Sequence, residues 1–241
     1  MIISDKYRFI FIHIHKTAGD SITEAFKPNL GRGDFVLRTD IQAWLQKYRP
    51  HSNYSQFEDL KKHSGALVIK ERLSPEIWES YFKFAFVRHP VGRVLSLYHY
   101  AARKSEERKR LLPRNAWYLT QPGKRGDPLN WPSVRAYLAT DSFSAFIRHP
   151  ILANEAGMRP QSDFLCDRNG TLLVDFVGRF ESLKEDFVTV QNTIGITPGA
   201  LAWNNSSRNN VTNFAELSRD DLAYLAERFK SDLIRFDYEI P

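Results

Sequence analysis

Hydrophobic positions along the chain form short strand-like runs, and each run leads into residues with helical spacing. Residues 9–14 are almost wholly apolar, and an apolar stripe within residues 22–26 follows them. Residues 84–87 are apolar throughout, as in a strand that is buried on both faces. The next stripe has the i, i+3, i+4, i+7 spacing of a buried helix face. It consists of Val91, Val94, Leu95 and Tyr98.

Further strands and helices are predicted along the rest of the chain. A serine, a proline and an acid open a short helix at 74–81. A hairpin-type turn at 167–170 precedes an apolar strand at 172–177. Helical stripes occupy 183–194, closed by a glycine, and 218–233, opened by a capping box. This order predicts an α/β fold, with a central parallel sheet flanked by helices.

Composition sets the class of protein. With 241 residues, 42% of them hydrophobic, the chain is expected to form one domain spanning 1–241. The single cysteine, Cys166, excludes an intrachain disulfide and a cysteine-based zinc site. No secretory hydrophobic segment precedes the first strand, and no apolar stretch reaches the length of a membrane span. We therefore expect a cytoplasmic protein.

The net charge of +6 is concentrated in one segment. Residues 103–135 hold nine basic and three acidic residues, together with four prolines and two glycines. This composition predicts an irregular basic flap. The flap is either a solvated loop or a mobile element that attracts an anionic ligand over a distance, and the sequence leaves both readings open.

The loop at residues 16–21, KTAGDS, has the composition of a phosphate-binding turn. Glycine lets the backbone approach an anion, the N–H groups of a helix start point toward it, and lysine adds a compact charge. The loop is not a Walker A sequence, because Lys16 comes five residues before Ser21 and no glycine precedes it. By itself it is equally compatible with an ordinary strand-to-helix turn that carries a surface lysine.

A second candidate anion site follows the apolar strand at 84–87. Arg88 ends that strand, and Pro90 occupies a favourable first helical position. Arg93 and Ser96 lie off the predicted buried face of the helix. Arg88 and Ser96 are therefore expected to close on one anion, with a guanidinium fork and a hydroxyl donor.

A near repeat of this segment tests the assignment. Residues 146–150, FIRHP, resemble residues 86–90, FVRHP, but Ala153 and Ala156 stand where Arg93 and Ser96 would be expected. The preceding residues predict a helix capped by Asp141. The repeat is therefore predicted to be a helix end and not an anion site.

The two segments HKTAGDS and FAFVRHPVGRVLSLY resemble the two nucleotide signatures of sulfotransferases that use 3′-phosphoadenosine 5′-phosphosulfate (PAPS). The group most similar includes carbohydrate and heparan-type sulfotransferases and bacterial relatives. The resemblance extends to residues 62–66, 173–187 and 204–208. It implies a three-layer sandwich like that of P-loop NTPases, PAPS as donor, adenosine 3′,5′-bisphosphate as product, and no metal.

The resemblance also implies roles for individual residues. The 5′-phosphosulfate is expected at Lys16, Thr17, Ala18, Gly19, Asp20 and Ser21, and the 3′-phosphate at Arg88, Ser96 and, from a late loop, Arg208. Lys16 is also expected to stabilise negative charge on the leaving phosphate.

His63 is the expected catalytic base, since Lys62-His63-Ser64 resembles a segment that presents a catalytic histidine before a helix. The periodicity of residues 66–72 fits helix or strand, and the resemblance favours a helix capped by Ser64. His15, Glu71 and His99 are the alternative bases.

Two residues depart from the family pattern. Asp20 stands where threonine is common, and His15 where proline is frequent. A carboxylate at position 20 is expected to repel bound phosphates, unless its side chain turns away and caps the helix.

Together these features predict a PAPS-dependent sulfotransferase with a saccharide or an anionic metabolite as acceptor, without nucleic acid or a membrane span. A P-loop kinase of a nucleotide or small molecule is one alternative. Another is a non-catalytic nucleic-acid-binding protein that uses residues 103–135, with Trp117, Tyr118 and Trp131 as stacking platforms. A sulfotransferase scaffold that has lost activity is the third.

Overall fold

A computed structural model describes residues 1–37, 60–110, 128–199, 214 and 217–240. The strands are β1 (Ile2–Ser4), β2 (Phe9–Ile12), β3 (Phe35–Val36), β4 (Phe82–Val87) and β5 (Phe176–Arg179). The helices are α1 (Gly19–Phe26), α2 (Ala66–Lys70), α3 (Pro75–Ser80), α4 (Pro90–Arg110), α5 (Pro132–Leu138), α6 (Phe143–Ile147), α7 (Ser162–Leu165), α8 (Leu183–Thr193), α9 (Arg219–Arg228) and α10 (Lys230–Arg235). Short 3₁₀ turns occupy Pro128–Asn130, Pro150–Leu152 and Ala156–Met158.

The five strands form one sheet in the order β3-β1-β2-β4-β5. β2 pairs with β4, and β4 with β5, in parallel, as the sequence predicted. The sheet is nevertheless mixed, because β1 runs antiparallel to both β2 and β3. The four residues between β1 and β2 end at Arg8 with φ 53°, and a connection this short can join only antiparallel strands. The predicted central parallel sheet is therefore confirmed for β2, β4 and β5, while β1 adds an antiparallel strand that was not predicted.

Each face of the sheet packs into its own hydrophobic core. Alternate residues of β2 and β4 point to opposite faces, so Ile10 and Ala85 lie in one core and Phe11 and Phe84 in the other. Helices α2 and α3 cover the first face, and α1 and α8 cover the second. The described part of the chain is thus an α/β sheet with helices on both sides, and the kinship with P-loop NTPases remains a prediction.

Helix α4 is anchored through a third core that it shares with α5, α6 and α9. Its buried stripe is Val91, Val94, Leu97 and Ala101, whereas Leu95 and Tyr98 are only partly buried. Arg93, predicted to lie off the buried face, is 0% exposed. The predicted stripe was therefore displaced around the helix by about one residue.

The two ends of the basic segment have regular secondary structure. Residues 103–110 continue helix α4, and residues 128–135 enter a 3₁₀ turn and α5. Residues 111–127 lie outside the described part, so the prediction that most of the flap is irregular stays a prediction.

Several helix boundaries differ from the sequence prediction in their capping residues. Ser142, and not Asp141, accepts the N–H of Ala145 and caps α6, which ends before Arg148 as predicted. Helix α2 is capped by Gly65, because the hydroxyl of Ser64 accepts the N–H of Lys61 instead. These caps depend on which hydroxyl faces the first turn, a choice that spacing alone does not make.

Three further predictions can be compared with the observed elements. The strand predicted at 172–177 begins only at Phe176. The last stripe divides at Phe229 into α9 and α10. Ser74 caps α3, and Ser218 caps α9 through the N–H of Asp221, both as predicted.

Candidate functional site

The two candidate anion segments meet at one edge of the sheet. β2 and β4 are neighbouring parallel strands, and Ile12 pairs with Ala85 near their carboxyl ends. The loop at 13–18 follows β2, and Arg88 follows β4. Ligands of open α/β sheets bind at this kind of edge, because the loops beyond parallel strands converge there.

The loop at 13–18 leads directly into helix α1. Lys16 and Ala18 have φ values of 67° and 66°, in the left-handed region, and the Thr17 hydroxyl donates to the carbonyl of Ile14 at 3.1 Å. Ile22 donates to the carbonyl of Ala18 at 3.1 Å. The N–H groups of residues 19–21 lie in the first helical turn, where a helix offers no acceptor of its own. This backbone can therefore donate to an anion.

Position 19 must be a glycine for two reasons. An anion needs close access to the backbone there, and a neighbouring side chain leaves no room for a Cβ. A Cβ at this position would lie 2.7 Å from Cε1 of His13 and still closer to its Cδ2 and Nε2. His13 is 3% exposed and stacks on Phe11, so its ring is held in place. No pattern in the sequence predicted this contact.

Asp20 does not cap α1, whose N-cap residue is Ala18 and whose first turn makes no side-chain capping bond. Its carboxylate instead accepts from Nζ of Lys62 at 2.6 Å. The alternative that Asp20 caps the helix was therefore wrong, and Lys62 offsets the negative charge beside the loop.

Lys16 lies against an aromatic ring and among other cations. Its Nζ is 4.0 Å from the ring centroid of Tyr100 on α4. Desolvation, followed by repulsion from Arg103 and Arg88, lowers the pKa of Lys16 to about 7. Lys16 and Arg88 follow neighbouring parallel strands, and the charge of Arg88 contributes to lowering the pKa of Lys16.

Arg88 is buried, and the side chain of Gln161 holds its backbone in place. Its N–H donates to Oε1 of Gln161 at 2.9 Å, and its carbonyl accepts from Nε2 of Gln161 at 2.8 Å. The guanidinium lies 4.0 Å from the ring centroid of Phe180, and burial lowers its pKa to about 10, which leaves it charged at neutral pH. Ser96 is partly buried on α4, two turns after Arg88.

His63 lies beside the first loop, in contact with two other histidines. Its Nδ1 is 2.8 Å from the carbonyl oxygen of His13, and since a carbonyl only accepts, Nδ1 is the protonated nitrogen. Its ring stacks on His15 with centroids 3.5 Å apart. Burial, and then the charge of His15, lower the pKa of His63 to about 2. At neutral pH its Nε2 therefore carries a free lone pair.

The alternative bases are placed differently. His15 belongs to the same histidine cluster. Glu71 lies at the C-terminal end of α2 with its carboxylate 3.9 Å from Arg168. His99 is exposed on α4 beside Tyr98.

The sequence missed two functional candidates besides His13. Tyr100 forms the aromatic face against Lys16, and Trp131 lies parallel to it with centroids 5.9 Å apart. Arg93 donates through Nη2 to the carbonyl of Arg159, while its Nε and Nη1 have no partner among the described residues. Arg93 is also the strongest charge acting on His15, whose pKa is lowered to about 3, first by desolvation.

Some predicted contributors cannot be placed. Arg208, Trp117 and Tyr118 lie outside the described residues. Within the described ranges, no group of three His, Cys, Asp or Glu side chains is arranged as a metal site. The helices described there are also too short or too polar to cross a membrane.

Comparison with known proteins gives a consistent assignment. A profile of the sulfotransferase family matches residues 1–239. Human carbohydrate sulfotransferase 14 is 28% identical over 198 residues, and the mouse protein 26% over the same length. These alignments cover 77% of this chain but 44% of each relative, so the chain spans less than half the length of the curated relatives it matches. No solved structure was found to match.

The comparison also overturns one expectation from the sequence. The expected cytoplasmic location was wrong, because it conflicts with the curated relatives, which are named carbohydrate sulfotransferase 14.

Proposed function

We propose that this chain, which belongs to the sulfotransferase family, transfers a sulfuryl group from PAPS to a hydroxyl group of a saccharide. The observation that carries the proposal is the placement of Lys16 and Arg88 after two adjacent strands. Each of these cations has a pKa lowered chiefly by desolvation, and the charge of Arg88 contributes to lowering the pKa of Lys16.

The residues present fit a ligand with two separated phosphates. Such a ligand would relieve the repulsion between Lys16 and Arg88. It would also accept hydrogen bonds from the N–H groups in the first turn of α1. In this proposal Lys16 and residues 17–21 bind the 5′-phosphosulfate, and Arg88 and Ser96 bind the 3′-phosphate. Arg208 stays a proposed further contact.

In the proposed reaction, side chains of this chain accept one proton and stabilise one negative charge. PAPS supplies the sulfuryl group, whose bond to a phosphate oxygen breaks as a bond to the acceptor oxygen forms. Nε2 of His63 takes the acceptor proton, since Nδ1 is already protonated toward His13. Lys16 stabilises the negative charge left on the phosphate. None of the roles assigned to these side chains requires a metal ion.

A saccharide acceptor is favoured by the curated relatives, which are named carbohydrate sulfotransferases. The parallel rings of Tyr100 and Trp131 beside Lys16 also support it, because aromatic faces pack well against sugar rings. An anionic metabolite is the other acceptor class, favoured by the cations around Tyr100.

Calorimetry with adenosine 3′,5′-bisphosphate in EDTA tests the donor site. We expect micromolar affinity, at least a tenfold preference over adenosine 5′-monophosphate, and loss of that preference in Arg88→Ala. Arg32→Ala, a change to an exposed arginine away from this edge of the sheet, is the matched control. Binding only of ATP with magnesium would instead favour a kinase, and absence of any nucleotide binding would overturn the proposal.

A second assay tests the transfer itself. Sulfate from radiolabelled PAPS is followed into unsulfated chondroitin, heparosan and dextran. Incorporation that is lost in Lys16→Met supports the assignment. Tight binding of the bisphosphate without transfer to these or to small anionic acceptors would favour a scaffold without activity.

A further inference from the structure

Three histidine rings pack together beside the loop at 13–18. The ring of His63 lies 3.5 Å from that of His15, measured between centroids, with an angle of 28° between the planes. It meets the ring of His13 edge-on, at 4.5 Å and 67°. His63 is thus covered on one face by His15 and met by the ring of His13 at a steep angle.

The hydrogen bond to the carbonyl of His13 fixes the tautomer of His63. Nδ1 is held at 2.8 Å from that oxygen and must carry the proton. Rotation of the ring about its own axis would break this bond. The stack on His15 restricts tilting of the ring, so the two contacts together define where Nε2 points.

Burial, and then the charges around the stacked pair, disfavour a second proton. After burial, the pKa of His63 is lowered by His15, Lys62 and the amino group of Met1, and that of His15 by Arg93, Lys62 and Lys16, against the opposing effect of Asp20. Asp20, the acid among these groups, is already paired with Lys62. Two imidazolium rings in contact would repel each other in this cationic environment, so at most one of them is charged at a time.

We propose that His15 is a positioning residue for His63: its neutral ring supports one face of the His63 imidazole and keeps Nε2 free and aimed at the acceptor hydroxyl. This inference rests on the proposed sulfotransfer. In the step concerned, the acceptor O–H bond breaks, an N–H bond forms at Nε2, and the positive charge appears on His63 alone. The proton then passes to water as the product leaves.

The geometry is tested without turnover by nitrogen NMR of the histidine rings in the free protein. We expect His63 to show a protonated Nδ1 and an unprotonated Nε2 between pH 8 and pH 5. In His15→Ala the single tautomer should be lost, or His63 should begin to titrate within this range. In His15→Phe, which keeps a flat uncharged ring, the tautomer should be retained.

Kinetics supply the second readout, with PAPS and whichever polysaccharide of the panel accepts sulfate. His15→Ala should lower kcat at least tenfold and change KM for PAPS less than twofold. His15→Phe should retain kcat within threefold, with a pH profile like that of the wild type, because His15 and the phenyl ring are both uncharged. His149→Asn, at a histidine that caps a distant 3₁₀ turn, is the control.

The outcomes separate this inference from the proposed function. Titration of His63 near pH 6.5 in the wild type, or unchanged tautomer and kcat in His15→Ala, would overturn the role of His15. Equal loss of kcat in the Ala and Phe variants would also overturn it, since the imidazole itself would then be needed. If no nucleotide binds, the sulfotransfer proposal fails, and the NMR result still decides whether His15 holds His63.

Discussion

Nζ of Lys62 lies 2.6 Å from Oδ1 of Asp20, across 42 residues of sequence. Asp20 stands in a loop proposed to bind phosphates, where a bare carboxylate would oppose the ligand. The pair brings a cation from the segment of His63 to the loop of Lys16. It therefore links the proposed base to the proposed donor site and reduces the repulsion that the sequence alone predicted.

The first prediction concerns this pair. Asp20 is largely exposed, so the interaction is screened and worth at most about 1 kcal/mol, or about fivefold in affinity. Lys62→Ala should weaken binding of adenosine 3′,5′-bisphosphate by up to that factor, and Asp20→Asn should strengthen it similarly. Calorimetry of both variants and of the double variant measures the coupling. Weaker binding in Asp20→Asn would show that the carboxylate assists the ligand.

The second prediction concerns the space at Gly19. Gly19→Ala should lower the free energy of unfolding by about 1–3 kcal/mol, because the new methyl group overlaps the buried ring of His13. Gly33→Ala is the matched control, since no atom lies within 4 Å of its added Cβ. Urea denaturation of both variants makes the comparison. Equal stability of the two would mean that His13 moves aside freely.

The third prediction concerns the support of Arg88. Gln161→Leu should lower the free energy of unfolding by about 2–4 kcal/mol, because the N–H and the carbonyl of Arg88 lose their buried partner. Gln191→Leu, at another buried glutamine, should cost less, since Oε1 of Gln191 has no partner in the described part of the chain. Chemical denaturation compares them. A smaller loss in Gln161→Leu than in the control would contradict the prediction.

The fourth prediction concerns the protonation of Lys16. With its pKa lowered to about 7, the amine is mostly neutral at pH 8 in the free protein. Bound phosphates raise that pKa, so binding at pH 8 should take up close to one proton (~0.9), and affinity should fall as pH rises from 7 to 9. Calorimetry in buffers of different ionisation enthalpy measures the uptake. Lys16→Met should abolish it, and a buffer-independent enthalpy in the wild type would contradict it.

Local features of the site followed from sequence with few errors. The strand–loop–helix unit at 9–26 and the strand–helix unit at 82–110 both form, because short apolar runs and helical stripes are encoded by neighbouring residues. Their parallel orientation also matched the predicted parallel sheet. Two features were missed for different reasons. The antiparallel strand β1 was not predicted, although a short local connection sets its direction, and the burial of Arg93 depends on residues far along the chain.

The sequence by itself thus determined the two anion segments, the early lysine that separates the first from a Walker loop, and the alternation of strands and helices. These depend on spacing within a few residues, which the chain states directly. Only the tertiary structure decided that Lys62 neutralises Asp20, that Gln161 holds Arg88, and that His13 and His15 enclose His63. Each of these contacts joins distant segments at the edge of the sheet, where packing and electrostatics, and not local pattern, select the partner.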